Sequence, residues 1–492
     1  MEVNESPALA AFETTGAPGA TPLVDAPAPP GVEASPAQTP AKPSGSIFAP
    51  LRHRNFSLLF SGQLISSLGD QVYGLALPWT VLTVTGDARQ MAIVLAAETV
   101  PRIVILLLGG ALADRLNPRV VMLGADIGRT IVVGVLGVTL FFGLPPLWVV
   151  SVLAGLQGVG SGLFGPGFMA MIPRLLPEEQ LPAGNGLFMV IQYGTLAIGP
   201  VLGGIATAAQ ATLAFLADAA TFAISAVTLF FMRVPRRAGG NASRHGAAGS
   251  SPDATMNEAT ADTSEFVATP RKGIFREIGS GMRYSFAHPL IRATMAITTF
   301  GNFGFAAAGS VGIVVLSHAI SPSAVTLGLL LAALGVGGIV GGLSSGLLGK
   351  LPHRGVVALV LYFTSAVCLG LIPLAAGAAG HIPYVSDLLP TFAFDTNTRI
   401  AIIAGLLGLT GFIVALGDTM FTTVMQQRVA PEYMARVFSM QALAGGITQP
   451  VSLVLAGYLA ATFGPGIVFA VGAVFLAMGV LLGFGSRELR RV

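Results

Sequence analysis

Three ionisable residues lie within stretches of sequence that are otherwise apolar and about as long as a membrane span. Asp70 falls near the middle of one stretch, and Glu98 and Arg102 fall near the middle of the next. Glu98 and Arg102 are four residues apart and therefore lie on one face of a helix. An ionised side chain at the centre of a bilayer costs on the order of 3 kcal/mol, so such residues are the best candidates for a functional site.

The chemistry that these residues offer is the binding and release of a proton. Arg102 can hold one of the two carboxylates ionised, while the other carboxylate is poorly solvated and can exchange a proton. We expect Asp70 or Glu98 to bind a proton on one side of the membrane and to release it on the other. The alternative is that Glu98 and Arg102 form a fixed ion pair and that Asp70 only bonds a neighbouring helix.

The composition of the chain indicates a polytopic membrane protein. Of its 492 residues 53% are hydrophobic and 10% are charged, whereas about 25% are charged in an average soluble protein. A water-soluble enzyme is therefore excluded. The single cysteine, Cys368, allows neither an internal disulfide nor a cysteine metal site. The net charge of +3 is not gathered into a patch for nucleic acid. We expect no enzyme activity, no cofactor and no metal.

Apolar stretches of helical length predict an all-α protein with twelve transmembrane helices in two groups of six. The first group lies within residues 51–233 and the second within 289–486. The predicted spans are residues 56–84, 89–112, 119–142, 146–170, 184–207, 211–233, 290–317, 323–348, 354–376, 399–426, 436–461 and 465–485.

Polar segments flank and separate the two groups of spans. Residues 1–50 have the composition of a disordered tail and lack the basic and apolar regions of a secretory signal. Residues 234–288 form a linker, in which the run 275–286 is roughly amphipathic and suits a helix lying in the membrane interface. Residues 487–492 form a short tail. We expect both tails and the linker to be cytoplasmic.

The positions of the basic residues predict this orientation. If both termini are cytoplasmic, 22 of the 26 Lys and Arg residues lie on the cytoplasmic side. Arg89 and Arg399 then lie outside, and Arg102 and Arg129 lie within spans. Cytoplasmic loops of membrane proteins carry such an excess of basic residues. We therefore expect a multi-pass protein of the cell membrane, and we expect it to be a monomer.

The two groups of spans repeat a short pattern. Arg-Leu-Leu-Pro-Glu at 174–178 follows the fourth span, and Arg-Val-Ala-Pro-Glu at 428–432 follows the tenth. Many secondary transporters consist of two parallel repeats with a site between them at the midplane. A duplicated pore or scaffold protein would show the same repeat.

A charged motif lies in the short connection between the second and third spans, at residues 110–119. Gly110 lets two helices approach closely. Asp114 can accept hydrogen bonds from a helix N-terminus and can pair with Arg115 or Arg119, which would make a breakable latch at the cytoplasmic face. The alternative is a loop whose basic residues only follow the positive-inside rule.

The other ionisable residues within spans have weaker assignments. Asp126 and Arg129 lie three residues apart in the cytoplasmic third of the third span. We expect them to belong to the gating or structural network of the charged motif rather than to contact a substrate. Asp218 and Asp418 are equally consistent with a cavity and with a helix interface.

The fifth span contains a spaced set of small residues around a proline. Gly186, Gly199, Gly203 and Gly204 accompany Pro200. A proline inside a helix removes a backbone hydrogen bond and kinks the helix, and glycines permit tight packing around the bend. The alternative is ordinary packing of small residues, because the chain contains 63 glycines.

Both motifs resemble signatures of the major facilitator superfamily. Residues 110–119 are similar to its loop signature, Gly-x-x-x-Asp-Arg/Lys-x-Gly-Arg/Lys-Arg/Lys, although Asn117 stands where the signature has glycine and Pro118 where it has a base. The fifth span is similar to the signature of drug:proton antiporters, with Thr195 in place of one glycine.

Further segments between about residue 50 and residue 488 look like the macrolide-efflux and enterobactin-exporter branch of that superfamily. The fourth span departs from the Arg-x-x-Gln-Gly motif of other antiporter branches. Gln157 and Gly158 are present, but Ala154 stands where those branches have arginine. A proton-relay role cannot be transferred to that position.

The resemblance implies the major facilitator fold and a secondary active exporter that works by proton antiport with alternating access. Its partners would be a hydrophobic small molecule (a drug or siderophore-like metabolite), the proton and the lipid bilayer, without nucleic acid. In the second half of the chain we expect Asn302, Phe303 and Phe305 to line the cavity. The alternatives are an uncoupled facilitator or lysolipid carrier and a non-transporting membrane sensor or scaffold.

Overall fold

A computed structural model describes residues 46, 48–115, 117–233, 288–348, 353–377, 394–429 and 431–490. These residues form helices and short connections, and none of them lies in a β-strand. Most of the predicted tail at 1–50 and the whole of the predicted interfacial helix at 275–286 lie outside the described residues.

The described residues contain long helices that we number α1 to α12 in chain order. Ten of them, α3 to α12, are long and apolar enough to cross a membrane. The helices are α1 Arg54–Thr85, α2 Ala88–Arg115, α3 Pro118–Thr139, α4 Leu147–Leu175, α5 Leu181–Ala209, α6 Ala211–Phe231, α7 Pro289–Ile320, α8 Ala324–Leu348, α9 Arg354–Ala376, α10 Thr396–Arg428, α11 Pro431–Phe463 and α12 Pro465–Phe484. The middle of α7, Ala307–Gly312, is a π-helical segment.

Local sequence sets the start of α3. The side chain of Asn117 accepts a hydrogen bond from the amide of Arg119 at 3.1 Å, and Pro118 occupies the first helical position. Asparagine is a favoured N-cap residue, and proline is favoured directly after it because the first amides of a helix have no partner within the helix. These are the two positions that depart from the superfamily signature. Here the departures form a helix start.

The helices pack in the same pairs in the two halves of the chain. In the first half, α1 packs against α5 and α6, α3 packs against α4 and α6, and α2 packs against α4. In the second half, α7 packs against α11 and α12, α9 packs against α10 and α12, and α8 packs against α10. Each pair of the first half recurs six helices later. This recurrence confirms the predicted all-α fold with two pseudo-symmetric halves.

Contacts between helix ends define the two faces of the molecule. At the face where α1 begins, the amide of Arg233 after α6 donates to Oδ1 of Asn55 at 3.1 Å. At the same face the guanidinium of Arg119 donates to carbonyl oxygens at the end of α6. We call this the base-rich face, because most of the arginines at helix ends lie there, and we call the other the opposite face.

The two halves join through α5 with α8 and through α2 with α11. Close approaches of Gly204 to Ala324 and of Gly457 to Ala88 and Ala92 lie near the ends of these helices at the opposite face. The pairs α4–α10, α4–α11 and α5–α10 are not among the main packed pairs of the described residues. The halves are therefore closed against each other toward the opposite face, and less so toward the base-rich face.

Candidate functional site

A buried guanidinium, that of Arg129 in the middle of α3, lies at the centre of the first half. Its side chain is 3% exposed, and its Nη2 forms an ion pair with Asp70 of α1. Its Nη1 lies 3.7 Å from Oδ1 of Asp126, one turn earlier on α3. The amide of Gln157 on α4 lies 3.3 Å from Nη2 and Nε, and its oxygen accepts both N–H groups. One cation thus links α1, α3 and α4.

The guanidinium is fixed by packing as well as by charge. Phe222 of α6 presents its ring 3.6 Å from Cζ of Arg129, which is a cation–π contact. On α4, a Cβ at Gly160 would lie 2.5 Å from Cγ of Arg129. Only glycine leaves room there for the arginine stem. We call Arg129, Asp70, Asp126 and Gln157 the Arg129 cluster.

Asp70 differs from its partners in exposure. Its side chain is 40% exposed, whereas that of Asp126 is 0% exposed. Asp70 is therefore the carboxylate of the cluster that is not enclosed by packed side chains.

A further acid is buried between α6 and α1. Asp218 is 0% exposed and lies against Gly69. Its Oδ1 accepts a hydrogen bond from the hydroxyl of Thr221 at 3.3 Å. Within the described residues, Oδ2 of Asp218, both carboxylate oxygens of Asp126 and the hydroxyl of Tyr73 have no hydrogen-bond partner.

The ion-pair partner of Asp70 lies on α3. Glu98 and Arg102 lie within electrostatic range of Asp70, but the ion pairs of the described residues are formed by Arg129 and not by Arg102. The reason is the packing of α2 on α4, where Gly158 lies against the backbone carbonyl of Glu98. This packing sets the rotation of α2.

The assignment of Asp126 and Arg129 to a gating or structural network stays a prediction. Both belong to the cluster at mid-helix, because α3 begins at Pro118 and Arg129 lies halfway along it. Gln157 was not predicted to belong to this cluster. The sequence feature that could have indicated it is an amide side chain, two residues before Val159, in an otherwise apolar span. Other antiporter branches have an arginine where this chain has Ala154. In this structure the guanidinium beside Gln157 belongs to Arg129 of α3.

The charged motif at 110–119 is only partly described. Gly110, Asp114 and Arg115 lie in the last turns of α2 rather than in a loop, and their side chains lie outside the described residues. The latch therefore stays a prediction. The guanidinium of Arg119 donates to two carbonyl oxygens at the end of α6, at 2.8 and 2.5 Å. These last carbonyls of a helix have no partner within the helix.

The glycines of the fifth-span motif pack α5 against two helices. Gly199 lies against Gln71 of α1, and a Cβ on Gly203 would lie 3.0 Å from Cα of Val72. Gly204 faces the other half, where a Cβ would lie 2.6 Å from a carbonyl oxygen of α8. Gly186 lies near the start of α5.

Pro200 has a structural consequence at the same contact. Because proline has no N–H, the carbonyl of Leu196, four residues earlier, loses its helical hydrogen bond. A Cβ on Gly335 of α8 would lie 2.6 Å from this carbonyl oxygen. The freed carbonyl thus lies directly against a glycine of the other half.

The second half contains a cavity of about 470 Å³ between α7, α9, α10, α11 and α12. Asp418 lies in it, and its Oδ1 accepts a hydrogen bond from the hydroxyl of Tyr362 at 2.5 Å. Asn302 and Phe305 line it, whereas Phe303 packs against Phe475 with ring centroids 4.4 Å apart. The cavity is lined by Ile297, Thr298, Gly301, Asn302, Phe305, Tyr362, Val414, Asp418, Phe421, Thr422, Gln441 and Leu476.

Polar contacts join the halves at the opposite face. Arg89 at the start of α2 donates to the hydroxyl of Thr462 at 3.2 Å, and its Cζ lies 5.1 Å from the ring centroid of Tyr458. Trp79 of α1 and His318 of α7 make an edge-to-face contact with centroids 5.3 Å apart. These contacts hold the opposite face closed.

Residues 59–447 match the sequence profile of the Major Facilitator Superfamily. The chain belongs to that superfamily. It is therefore a membrane transporter, and the packing of the described helices in two similar halves agrees with this.

Relatives of the chain include two named efflux proteins. Macrolide efflux protein A of Streptococcus pyogenes is 23% identical over 430 residues, which cover 87% of this chain and 93% of the relative. Multidrug efflux pump Tap of Mycolicibacterium fortuitum is 24% identical over 446 residues, which cover 87% and 95%.

Solved superfamily structures share the fold at low identity. A bacterial homologue of the iron transporter ferroportin in an inward-facing state superposes with a TM-score of 0.62 at 14% identity, covering 88% of this chain and 98% of the other. A bacterial homologue of the human lysosomal transporter Spinster, inward-facing and unoccupied, gives 0.59 at 14%, covering 91% and 98%.

Proposed function

We propose that this superfamily member is a proton-coupled exporter of hydrophobic small molecules, such as a drug or a siderophore-like metabolite. The observation that carries the proposal is the ion pair between a partly exposed carboxylate, Asp70, and a buried cation, Arg129. A carboxylate in this position exchanges its partner: it is bound either to the guanidinium or to a proton.

Proton binding changes the links between helices. When Asp70 is ionised, Arg129 ties α1 to α3. When Asp70 is protonated, the ion pair is lost and Arg129 keeps only Asp126 and Gln157 as polar partners. One proton moving inward contributes about 2.3 kcal/mol per 100 mV and about 1.4 kcal/mol per pH unit. Together these suffice for roughly two to three decades of substrate gradient.

The second-half cavity supplies the substrate site in this proposal. Its apolar and aromatic lining fits a bulky hydrophobic molecule, and a few polar groups orient a ligand in such sites. Asp418 adds a carboxylate with no ion pair among the described residues, which favours substrates that carry an amine. The names of the efflux relatives agree with this class.

We also propose the location and orientation of the molecule. The base-rich face is cytoplasmic, because basic residues are retained on that side. The described conformation is then open toward the cytoplasm, ready to load substrate for export. The protein acts as a monomer in the cell membrane, with both termini inside.

Proton release in proteoliposomes tests the coupling. Adding a fluorescent lipophilic cation to the reconstituted wild type should release protons, which a pH dye records. Asp70→Asn and Glu98→Gln are compared separately, with Asp87→Asn in the α1–α2 connection as the matched acid-to-amide control. Asp70→Asn should lose proton release, while the control keeps it. If Asp70→Asn and Glu98→Gln both exchange protons for substrate as the wild type does, the proposal is wrong.

A groove between α3 and α4 favours the lysolipid-carrier alternative. It has a volume of about 410 Å³, and Arg129 is the charged residue among apolar lining residues such as Val120, Leu156 and Leu163. An acyl chain fits such a surface. Movement of a labelled lysolipid between leaflets that is independent of a pH gradient, and equal in wild type and Asp70→Asn, would favour this alternative over the exporter.

A further inference from the structure

Asp218 is buried without a counter-ion. Its Oδ1 accepts a hydrogen bond from the neutral hydroxyl of Thr221, and no ion pair of the described residues includes it. Removing an ionised carboxylate from water costs several kcal/mol unless a cation or several donors compensate for it. Oδ2 has no hydrogen-bond partner within the described residues. A proton on the carboxyl group makes it neutral, and a neutral group needs no counter-ion.

Titratable groups face Asp218 from the helices around it. On α5, the titratable side chain is Tyr193, which lies within electrostatic range of Asp418 instead. The facing groups are Asp70 and Tyr73 on α1, Glu98 on α2 and Arg129 on α3. Asp126 of α3 interacts with Arg129 and Asp70 instead. One guanidinium is therefore shared by several carboxylates, of which only Asp70 and Asp126 lie within 4.0 Å of it.

Arg129 is positioned to change partner between α1 and α6. Its guanidinium stacks on Phe222 of α6, and Phe222 and Asp218 are four residues apart, so both lie on one face of α6. Gly69 of α1 packs against Asp218, and Gly69 is the residue before Asp70 in the sequence. Arg129 and Asp70 both lie within electrostatic range of Asp218.

We propose that Asp218 is a second proton-binding site of the transporter, through which a proton arriving from the opposite face enters and then passes to Asp70. The O–H bond on Asp218 breaks and an O–H bond on Asp70 forms. At the same time the ion pair of Arg129 passes from Asp70 to Asp218, so that the net charge is unchanged. Asp70 later releases the proton at the base-rich face, and Asp218 takes up another.

Tyr73 marks the entry side of this route. It lies one turn beyond Asp70 toward the opposite face, and its buried hydroxyl has no hydrogen-bond partner. A hydroxyl can both accept and donate a proton, and Tyr73 lies within electrostatic range of Asp218. A relay from Tyr73 requires the two groups to come into hydrogen-bond contact, since neither the hydroxyl nor Oδ2 of Asp218 has a partner among the described residues in this conformation. The route lies within the first half and is separate from the second-half cavity that contains Asp418.

Infrared spectroscopy tests whether Asp218 holds a proton. The full-length protein is purified in a detergent without carbonyl groups and is measured near pH 7 in H₂O and in D₂O. A protonated carboxyl group gives a C=O band that shifts in D₂O. This band should be present in the wild type and in Asp87→Asn, and it should be lost in Asp218→Asn. If Asp218→Asn does not fold, Asp218→Glu should shift the band instead. A band that Asp218→Asn retains, or that Asp218→Glu leaves unmoved, overturns the proposal.

Transport under a pH gradient tests whether the proton moves. In proteoliposomes, Asp218→Asn should slow gradient-driven transport of the lipophilic cation at least about tenfold, while its binding affinity in detergent changes by less than about twofold. A neutral acid with a purely structural role would give the infrared band but leave transport unchanged, and this result also overturns the proposal.

The inference rests on the proposed proton coupling, and the two can fail separately. If the wild type releases no protons with substrate, the coupling itself is wrong. If the wild type releases protons and Asp218→Asn transports at the wild-type rate, only the role of Asp218 is wrong.

Discussion

Arg129 is the residue on which the charge balance of the first half depends. It is the cation within 4.0 Å of Asp70 and Asp126. The sequence placed Arg129 in the third span but could not show that its guanidinium contacts Asp70. The sequence located the ionisable residues at mid-span, because each breaks an apolar run. It could not show which of these ionisable residues face one another, because the rotation of each helix about its axis is set by packing, as where Gly158 contacts Glu98.

Removing the guanidinium should destabilise the protein. In Arg129→Ala, Asp126 is left as an uncompensated buried carboxylate, and breaking a buried ion pair from one side costs about 3–5 kcal/mol. We expect a loss of about 3 kcal/mol of unfolding free energy, measured by denaturant titration in detergent. The double variant Arg129→Ala with Asp126→Asn should recover much of that stability, although not proton release. Equal stability of the single and double variants would contradict this account.

The carboxylate of the second-half cavity should select charged ligands. In Asp418→Asn the charge is lost, while the hydrogen bond from Tyr362 can be kept by the amide oxygen. We expect the affinity for a lipophilic monocation to fall about tenfold, equal to about 1.4 kcal/mol. The affinity for a neutral analogue of the same shape should be unchanged. Isothermal titration of the purified protein with both ligands measures this, and equal losses for the two ligands would refute a role of charge.

At the scale of the helix, the contact between α5 and α8 depends on glycine. A Cβ on Gly335 would lie 2.6 Å from the carbonyl oxygen of Leu196, whereas a Cβ on Gly342, two turns further along α8, would meet nothing within 4 Å. Overpacking of this kind typically costs 1–3 kcal/mol. Gly335→Ala should therefore lower the unfolding temperature and slow transport, and Gly342→Ala should do neither. If both substitutions raise the unfolding temperature, the better helix propensity of alanine outweighs the contact, and the proposed role of the contact is wrong.

The helices were predictable to within a few residues at most ends, because apolar length is set by the bilayer. The larger errors are at the base-rich face. There α2 continues to Arg115 and α11 begins at Pro431, several residues before the apolar run that marks the predicted span. Helices extend beyond the apolar core into water, where polar sequence is no guide to their ends. The pairing of helices was implied only by the repeat at 174–178 and 428–432.

At the scale of the whole molecule, the closed opposite face defines the conformation. Arg89 contributes a cation–π contact and a hydrogen bond to it, and a cation–π contact at an exposed site is worth about 0.5–1 kcal/mol. Arg89→Ala should shift the equilibrium two- to fivefold, on the order of that energy, toward the form that is open at this face. Spin labels on the α1–α2 and α7–α8 connections should report a larger fraction of long distances. An unchanged distance distribution would show that the glycine contacts alone hold the face closed.

The contact between the halves has a consequence for how such a transporter diversifies. At Gly204 and Gly335 the partners across the boundary are main-chain carbonyls, which every amino acid possesses. The contact between α5 and α8 therefore does not depend on the side chains of Asn302, Tyr362 and Asp418, which line the cavity of the second half. Substitutions at those three positions can change the ligand preference while the contact between the halves is kept.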